Sequence, residues 1–545
     1  MTRKNLFVEW ENENDDIIPE NEITQSTTIR IYFLLIFIAL CYFIIVFRLL
    51  SLINYDKEDE SVTQNLSLKR GNIYDANGYL LATNLPTKSV YIKPDEIISD
   101  VESTIKPILN IINERNSEKI SLEKIKFKID SGKSFVWIKR HILPDQYVKI
   151  QALGIPSIYF VEDNKRFYPY ENDFSHVIGF VDIDQNGISG IEKEFDELLT
   201  EGKDLHLSLN VRVQATVREK LQQSIINNDA LGGMAVIMNA NNGEIVSIVS
   251  LPDFNPNRLV ADSESLFNRA TLGVYEMGST FKILTLAIGL DLGVVKFSDT
   301  FNVMNPLKLG RYTVNDYKFH KANLSLSEVL IFSSNRGIAQ VGYKIGINNQ
   351  QKYIGDIGML SAVNIELQER GKPIHVSSKQ WNEVYLATIS YGHGIAVTPL
   401  HSVQSIAAVV NGGLLYTPTL LKLNNSVNGI RIFKESTSQA MRKVMRRIVE
   451  EGYAKKAEVS GYNIGGKTGT AEKVKNGRYM KKNCNLVSFC GAFPIDNPQY
   501  VIFVAVDEPK PNKLNSGFAT GGQVAAPLAA EILKEVGFIL LHDKS

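Results

Sequence analysis

The pattern of apolar and polar positions divides the chain unevenly. From Ile31 to Phe47 the sequence IYFLLIFIALCYFIIVF carries no charge and lies between Arg30 and Arg48. Leu49 and Leu50 extend the run once the Arg48 stem lies along apolar surroundings. A soluble helix of this length would show a polar face, so the pattern predicts a single membrane span over residues 31–50. The following RLLSLINYD offers no small-residue cleavage site, and the span is expected to remain as an anchor. Residues 1–30 hold Glu9, Glu11, Glu13, Asp15, Asp16, Glu20 and Glu22 without an apolar period, which reads as a short disordered tail.

After the span, residues 51–205 mix short strand-like runs, SVYIK and SFVWIK, with turn signals such as DANG at 75–78. From about residue 206 the texture changes. GGMAVIMNA and EIVSIVS, joined through Asn-Asn-Gly, predict a β-hairpin. Helical periods follow at 279–292, 325–345 and 398–411, and then the strands NLVSFCGAF and YVIFVAVDE across the turn-rich PIDNPQ. Strands at both ends of a region with helices between them predict an α+β layer fold, an antiparallel sheet packed with helices.

Composition narrows the function classes. With 59 Lys+Arg against 59 Asp+Glu there is no global field to draw in nucleic acid, and no basic patch or motif supplies a local one. Three cysteines in 545 residues cannot build a disulfide framework, and none has metal-ligand spacing, so structural zinc is excluded. No other metal and no cofactor is expected. Cys484 and Cys490 share one predicted strand at a separation too long to bridge. The flanks of the span are nearly balanced in positive charge, so its orientation must follow from the chemistry of the large domain.

That chemistry centres on YEMGSTFK at 275–282. Ser279 and Lys282 are spaced i and i+3 at the start of a predicted helix, which puts both on one face, in the turn whose free N–H groups favour negative charge. A serine hydroxyl is a weak nucleophile until a base takes its proton, and a desolvated lysine can be that base. Ser-x-x-Lys alone is common by chance, and Ser121 to Lys124 is a decoy within this chain. An N-cap role for Ser279 is the plainer alternative. What distinguishes 279–282 is the order that follows: Ser333-Ser334-Asn335, then Lys467-Thr468-Gly469. Two further Ser-x-Asn triplets, at 208–210 and 426–428, precede the nucleophile or sit in a turn-like segment.

The three elements match the signature of serine β-lactamases and penicillin-binding proteins. YEMGSTFK, SSNRGIAQ, GGKTGTAEK, YGHGIAVTPL and GAFPIDNPQYVIFVAVDEP together resemble the transpeptidase domain of class B penicillin-binding proteins. RGNIYDANGYLLAT at 70–83 and KRFYPYENDFSHVIGFVDIDQNGISGIEKEFDELL at 165–199 resemble the non-catalytic pedestal, or dimerisation-type, domain of that class. Ala76 departs from the family's usual Arg in its turn. The resemblance implies a cytoplasmic tail at 1–30, an anchor at 31–50, a pedestal at 51–205 and a transpeptidase domain at 206–545.

It further implies that Ser279 is acylated, that Lys282 is its base, that Ser333 relays the proton to the leaving amine and that Asn335 orients the substrate amide. Lys467 would supply positive charge, and Thr468 and Thr470 would bind the terminal carboxylate of a D-Ala-D-Ala stem peptide. Gly469 would let the strand approach closely, and the N–H groups of Ser279 and Thr470 would form the oxyanion hole. His393, between glycines, reads as structural. Peptidoglycan lies outside the inner membrane, so the catalytic domain is expected in the periplasm. The pedestal segment and YGHGIAVTPL look most like the septal enzyme, with an elongation-type transpeptidase, a β-lactam-binding sensor or a division scaffold as alternatives. Expected partners are stem peptides, β-lactams, a membrane-embedded glycan polymerase and other division proteins. A β-lactam hydrolase would need a means of activating water for deacylation, and the anchor and pedestal argue against it.

Overall fold

The computed structural model describes residues 32–48, 69–115, 119–259, 262–309, 312–475, 478–479 and 484–542. The tail at 1–30 and the ends of the predicted span, Ile31, Leu49 and Leu50, lie outside them. Two units separate, residues 1–68 and residues 69–545. In the first, helix α1 runs over residues 32–48 with every side chain exposed. Among the described residues no helix is long and apolar enough to cross a membrane.

The second unit begins with a small sheet built on a long central strand. β1 (Leu80–Ile92) pairs antiparallel with both β2 (Val136–Ile142) and β3 (Ile158–Phe167). Helix α2 (Val101–Asn113) starts where the Asp100 side chain accepts from the N–H groups of Glu102 and Ser103. Its Ile105, Ile108, Leu109 and Ile112 recur at helical spacing and meet Val90, Ile92, Val136 and Ile138 in one apolar cluster. The decoy Ser121 has a structural task here: its hydroxyl caps the helix Leu122–Asp130 by accepting from Lys124 N.

A buried ionic knot draws the segments around this sheet together. The Glu192 carboxylate, fully buried, accepts from Arg70 Nε and Arg166 Nε, each at 2.7 Å. Arg70 also reaches the Glu192 carbonyl at 2.7 Å and Asp196 at 2.7 Å. In the DANG turn, Asp75 Oδ1 accepts from Asn77 N and Tyr79 N while Oδ2 accepts from Val211 N at 3.1 Å. That last bond fastens the turn to helix α3 (Val211–Asn227), which Asn210 caps. Ala76 takes part through its backbone, donating to Leu209 O and accepting from Lys422 Nζ.

The larger layer is a five-stranded antiparallel sheet. The predicted hairpin is present as β4 (Gly232–Asn239) and β5 (Ile245–Leu251). β6 (Gly465–Glu472), β7 (Asn485–Phe493) and β8 (Tyr500–Asp507) complete the order β6-β7-β8-β4-β5. Strands β4, β7 and β8 are almost wholly buried, as their continuous apolar runs require. Helix α3 and the C-terminal helix α9 (Ala526–His542) pack on each other and on the sheet, and α7 (Pro399–Val410), buried along its whole length, packs on it separately.

Between the early and late strands lie α4 (Lys282–Asp291), α5 (Leu326–Ile331) and α6 (Asn335–Ile345), with α8 (Glu435–Glu451) beside them. Two expectations are corrected here. The helix expected to begin near Ser279 begins at Lys282, after a 3₁₀ turn over Gly278–Thr280. The single helix expected over 325–345 is broken at Ser333, whose φ of +56° is incompatible with a right-handed helix.

Glu192→Ala would leave two buried guanidinium groups facing each other. The variant is expected to lose about 3–5 kcal/mol of unfolding free energy, the range for breaking a buried ion pair. Denaturant titration of the two proteins measures it, and a loss typical of a surface substitution would show that the knot is dispensable.

Candidate active site

The candidate nucleophile sits where a 3₁₀ turn crosses the edge of the sheet. Gly278 takes φ +52° and its N–H donates to Gly392 O at 3.1 Å, so YEMG and YGHG are joined directly. Glu276 strengthens the joint by accepting from Gly394 N at 2.7 Å. A Cβ on Gly392 would come within 2.1 Å of Gly278 O, and only glycine fits that contact. Ser279 is half-buried and does not cap the helix that follows. Its Oγ instead accepts from Ser333 Oγ at 3.0 Å.

Lys282, one turn into the helical segment, is completely buried. Its Nζ donates to Ser333 O at 2.6 Å and to Ser333 Oγ at 3.2 Å. Ser333 therefore stands between the lysine and Ser279, and the expected acid–base pair is connected through a third side chain. The left-handed backbone at Ser333 costs about 1–3 kcal/mol for a residue with a Cβ, and it is what turns the hydroxyl into the site. Ser334 then caps α6, accepting from Gly337 N at 2.9 Å. Asn335, the first residue of α6, donates through Nδ2 to Asn315 O at 2.9 Å.

The third motif lies on β6, the edge strand, in register with β7: Lys467 opposite Cys490 and Thr470 opposite Val487. Alternate side chains point to opposite faces. Lys467 and Gly469 are buried, and on the other face Thr468 is buried as well while Thr470 is exposed. Lys467 is 1 % exposed and donates to Thr468 O at 3.1 Å. A Cβ on Gly469 would meet Ser488 Oγ at 2.5 Å and Met277 O at 2.9 Å, so its bare backbone is what lets β6 lie against the nucleophile turn. Thr470 Oγ1 accepts from Gly521 N at 3.0 Å. With that lone pair engaged, the threonine hydrogen is left to donate elsewhere. Ser279, Lys282 and Ser333 are thus joined by hydrogen bonds, Lys467 lies close enough for its charge to act on Lys282, and Gly469 and Thr470 lie against the nucleophile turn, whereas Asn335 is held to the 315–316 loop and Thr468 is buried within β6.

Burial sets the electrostatics. It pushes the Lys282 ammonium well below the ordinary lysine range, and the positive charge of Lys467 pushes the same way. Lys467 itself is lowered to about 7 by burial. His393, facing Lys282 closely enough to feel its charge, is lowered to about 4, chiefly by burial, and is neutral at physiological pH.

Several contributors carry no motif. Asp316 Oδ2 accepts from Ser334 Oγ at 2.7 Å and Oδ1 from Arg336 N at 3.0 Å, which clamps the start of α6. The Arg336 guanidinium reaches Val314 O, Val303 O and Asn315 Oδ1. In the sequence Asp316 is one acidic residue in VNDYKFHK, with nothing in its spacing to mark it. Gly521 belongs to a Gly-Gly pair that reads only as a turn. The decoy Ser208 is buried and donates to Ile245 O, far from this chemistry. A cleft of about 510 Å³ opens beside the strand beyond Thr470, lined by Tyr275, Glu276, Gly394, Ala471, Glu472 and Leu486.

Residues 233–534 match the model of the penicillin binding protein transpeptidase domain, and residues 66–231 that of the penicillin-binding protein dimerisation domain. The chain belongs to the penicillin-binding protein transpeptidase family. It is 35% identical, over 87% of its length and 82% of the relative's, to a probable peptidoglycan D,D-transpeptidase FtsI of Caulobacter vibrioides. It is 32% identical to stage V sporulation protein D of Bacillus subtilis, over 87% of this chain and 79% of that one. Among solved structures, a putative peptidoglycan glycosyltransferase from Atopobium parvulum superposes with a TM-score of 0.68 at 24% identity, covering 87% of this chain and 98% of that one, and so shares the fold.

The two buried lysines give a stability prediction with a definite sign. Lys467 has its folded pKa lowered, so between about pH 7 and the ordinary lysine value the unfolded chain holds a proton that the folded chain does not. Folding stability should therefore rise with pH across that window. Lys467→Met is expected to melt higher than the parent below pH 7 and to lose that part of the pH dependence. Calorimetry between pH 6 and 10 checks both.

Proposed function

We propose that this chain is a peptidoglycan D,D-transpeptidase acting through an acyl-enzyme on Ser279. The observation that carries the reading is the Ser279–Ser333–Lys282 series of contacts, 3.0 and 3.2 Å long, ending on a lysine stripped of solvent. In the neutral state the Lys282 amine accepts a proton passed from Ser279 through the Ser333 hydroxyl, whose hydrogen can turn either way. Ser279 Oγ attacks the carbonyl of the penultimate D-Ala of a stem peptide. The resulting oxyanion is held by the backbone N–H groups of Ser279 and Thr470, donors worth about 3 kcal/mol each in comparable enzymes. Collapse breaks the peptide bond, and the proton returns through Ser333 to the leaving D-Ala amine.

An amine from a neighbouring stem peptide then attacks the ester. It yields its proton to the same relay, forms the crosslinking amide and frees Ser279. The Lys467 charge and the hydroxyls of Thr468 and Thr470 suit the terminal carboxylate. The Thr470 hydroxyl keeps its hydrogen to donate, since in its bond with Gly521 N–H it is the acceptor. Asn335 positions the substrate amide, and the stem peptide continues past Thr470 into the adjoining cleft. β-Lactams acylate the same serine.

The helix over 32–48, apolar and exposed on all sides, suits a single-pass anchor over residues 31–50 with the catalytic domain in the periplasm and the tail in the cytoplasm. Domain limits of 51–205 for the pedestal and 206–545 for the transpeptidase accompany that reading. The septal role rests on the resemblance of the pedestal and YGHG segments and on relatives that bear the FtsI name. A membrane-embedded glycan polymerase and other division proteins are the partners such a role requires.

Two experiments test the proposal. Incubation with a β-lactam followed by intact-protein mass spectrometry and peptide mapping should give one adduct on Ser279, absent in Ser279→Ala. That variant should melt as the parent does, since a half-exposed hydroxyl contributes little to stability. Steady drug hydrolysis without a persistent adduct would instead indicate a β-lactamase. A full-length fluorescent fusion should concentrate at midcell, and an even distribution along the side wall would replace the septal role with an elongation role.

A further inference from the structure

The segment over residues 315–321 touches two walls of the cleft at once. At its start, Asp316 clamps Ser334 and Arg336. At its end the His320 ring lies flat on Phe332, the residue before Ser333, with centroids 4.1 Å apart and planes 12° apart. His320 Nε2 also lies 3.0 Å from Tyr453 Oη. Tyr453 follows α8 in a tightly wedged stretch. A Cβ on Gly452 would come within 2.7 Å of Ile331 O, and a Cβ on Gly522 within 2.6 Å of Tyr453 O. Gly521, next in line, donates to Thr470 Oγ1. Contacts thus run from Ser333 through Phe332, His320 and Tyr453 to the Gly521-Gly522 turn and Thr470, across the cleft from the second motif to the third.

We infer that His320 is a positioning residue: with Tyr453 it forms a clasp that fixes the separation between the wall carrying Ser333 and Asn335 and the wall carrying Thr470. Neither ring is placed at the reacting atoms. The other junctions of this path are a ring stack, close backbone packing and a bond from the Gly521 N–H, whereas the His320–Tyr453 contact is one exposed hydrogen bond between side chains. Such a bond adds little to global stability. Small misplacements of catalytic groups nevertheless cost rate steeply, so the clasp should register in kinetics before it registers in melting. Burial and the Lys318 charge hold His320 below the ordinary histidine range, and a neutral imidazole can pair with a tyrosine hydroxyl.

The inference rests on Ser279 being the acylated residue, and stopped-flow acylation of the full-length protein by a fluorescent penicillin separates the two. Tyr453→Phe, which removes one oxygen, should lower the limiting acylation rate constant about threefold to tenfold, the range for one hydrogen bond, with the drug's apparent Kd and the melting temperature unchanged. His320→Phe keeps the stack on Phe332 and should cost the same, and the double variant should be no slower than either single one. His320→Gln, which can still meet the hydroxyl but gives up the stack on Phe332, should recover only part of the rate. An unchanged rate in Tyr453→Phe, losses that multiply in the double variant, or a loss confined to Kd would overturn the clasp. A parent protein that is not acylated at all would overturn it together with the transpeptidase reading.

Discussion

Two lysine side chains buried within reach of each other's charge are the constraint around which this molecule is organised. Lys282 and Lys467 are 0 % and 1 % exposed, and neither could remain there without a rigid surround. Burying an ammonium group is costly, and in proteins the group commonly responds by losing its proton. Here that response is what the proposed chemistry requires of Lys282, whose amine lies against Ser333. The five-stranded sheet provides one side of the enclosure through β6, and α4 with the break before α6 provides the other. Much of the apolar core secures these two elements against each other.

The site is consequently assembled from interruptions of regular structure. Ser279 lies in a 3₁₀ turn before a helix, Ser333 in the left-handed gap between two helices, and the third motif on a strand with one unpaired edge. Each interruption directs a polar group inward that a continuous element would have turned along its own axis. The supports for these places come from afar in the chain: Gly392 against Gly278, Asp316 on the second motif, Gly521 on Thr470. Local strain is carried by distant packing, which is why a domain of this size encloses a handful of reacting atoms.

How much of this could be read from the sequence depends on the kind of information involved. The continuous apolar runs of GGMAVIMN, NLVSFCGAF and YVIFVAVD marked three sheet strands, and the order of three short motifs picked out Ser279, Lys282 and Ser333, which the fold joins by hydrogen bonds, and Lys467, whose charge reaches Lys282. Apolar spacing could not reveal the break at Ser333, since the helical period runs through it on both sides and the backbone there is set by tertiary contacts. Asp316 and Tyr453 were silent for a related reason. Their roles arise from where two loops meet, and single residues in loops leave no periodic trace. The decoy Ser121-x-x-Lys124 shows the reverse case, a motif in letters that the fold uses as a helix cap.

The close backbone stacking of Gly278, Gly392, Gly469 and Gly521 has an evolutionary corollary. At each of these positions a methyl group would press on a neighbouring segment, in most cases closer than atoms can approach. The floor of the cleft is therefore closed to change by substitution. Variation is left to the exposed side chains, such as Tyr317, Phe319, Leu514 and Phe518. A lineage adapting to a different stem peptide, or under selection by an inhibitor, would alter exposed residues long before it altered this floor.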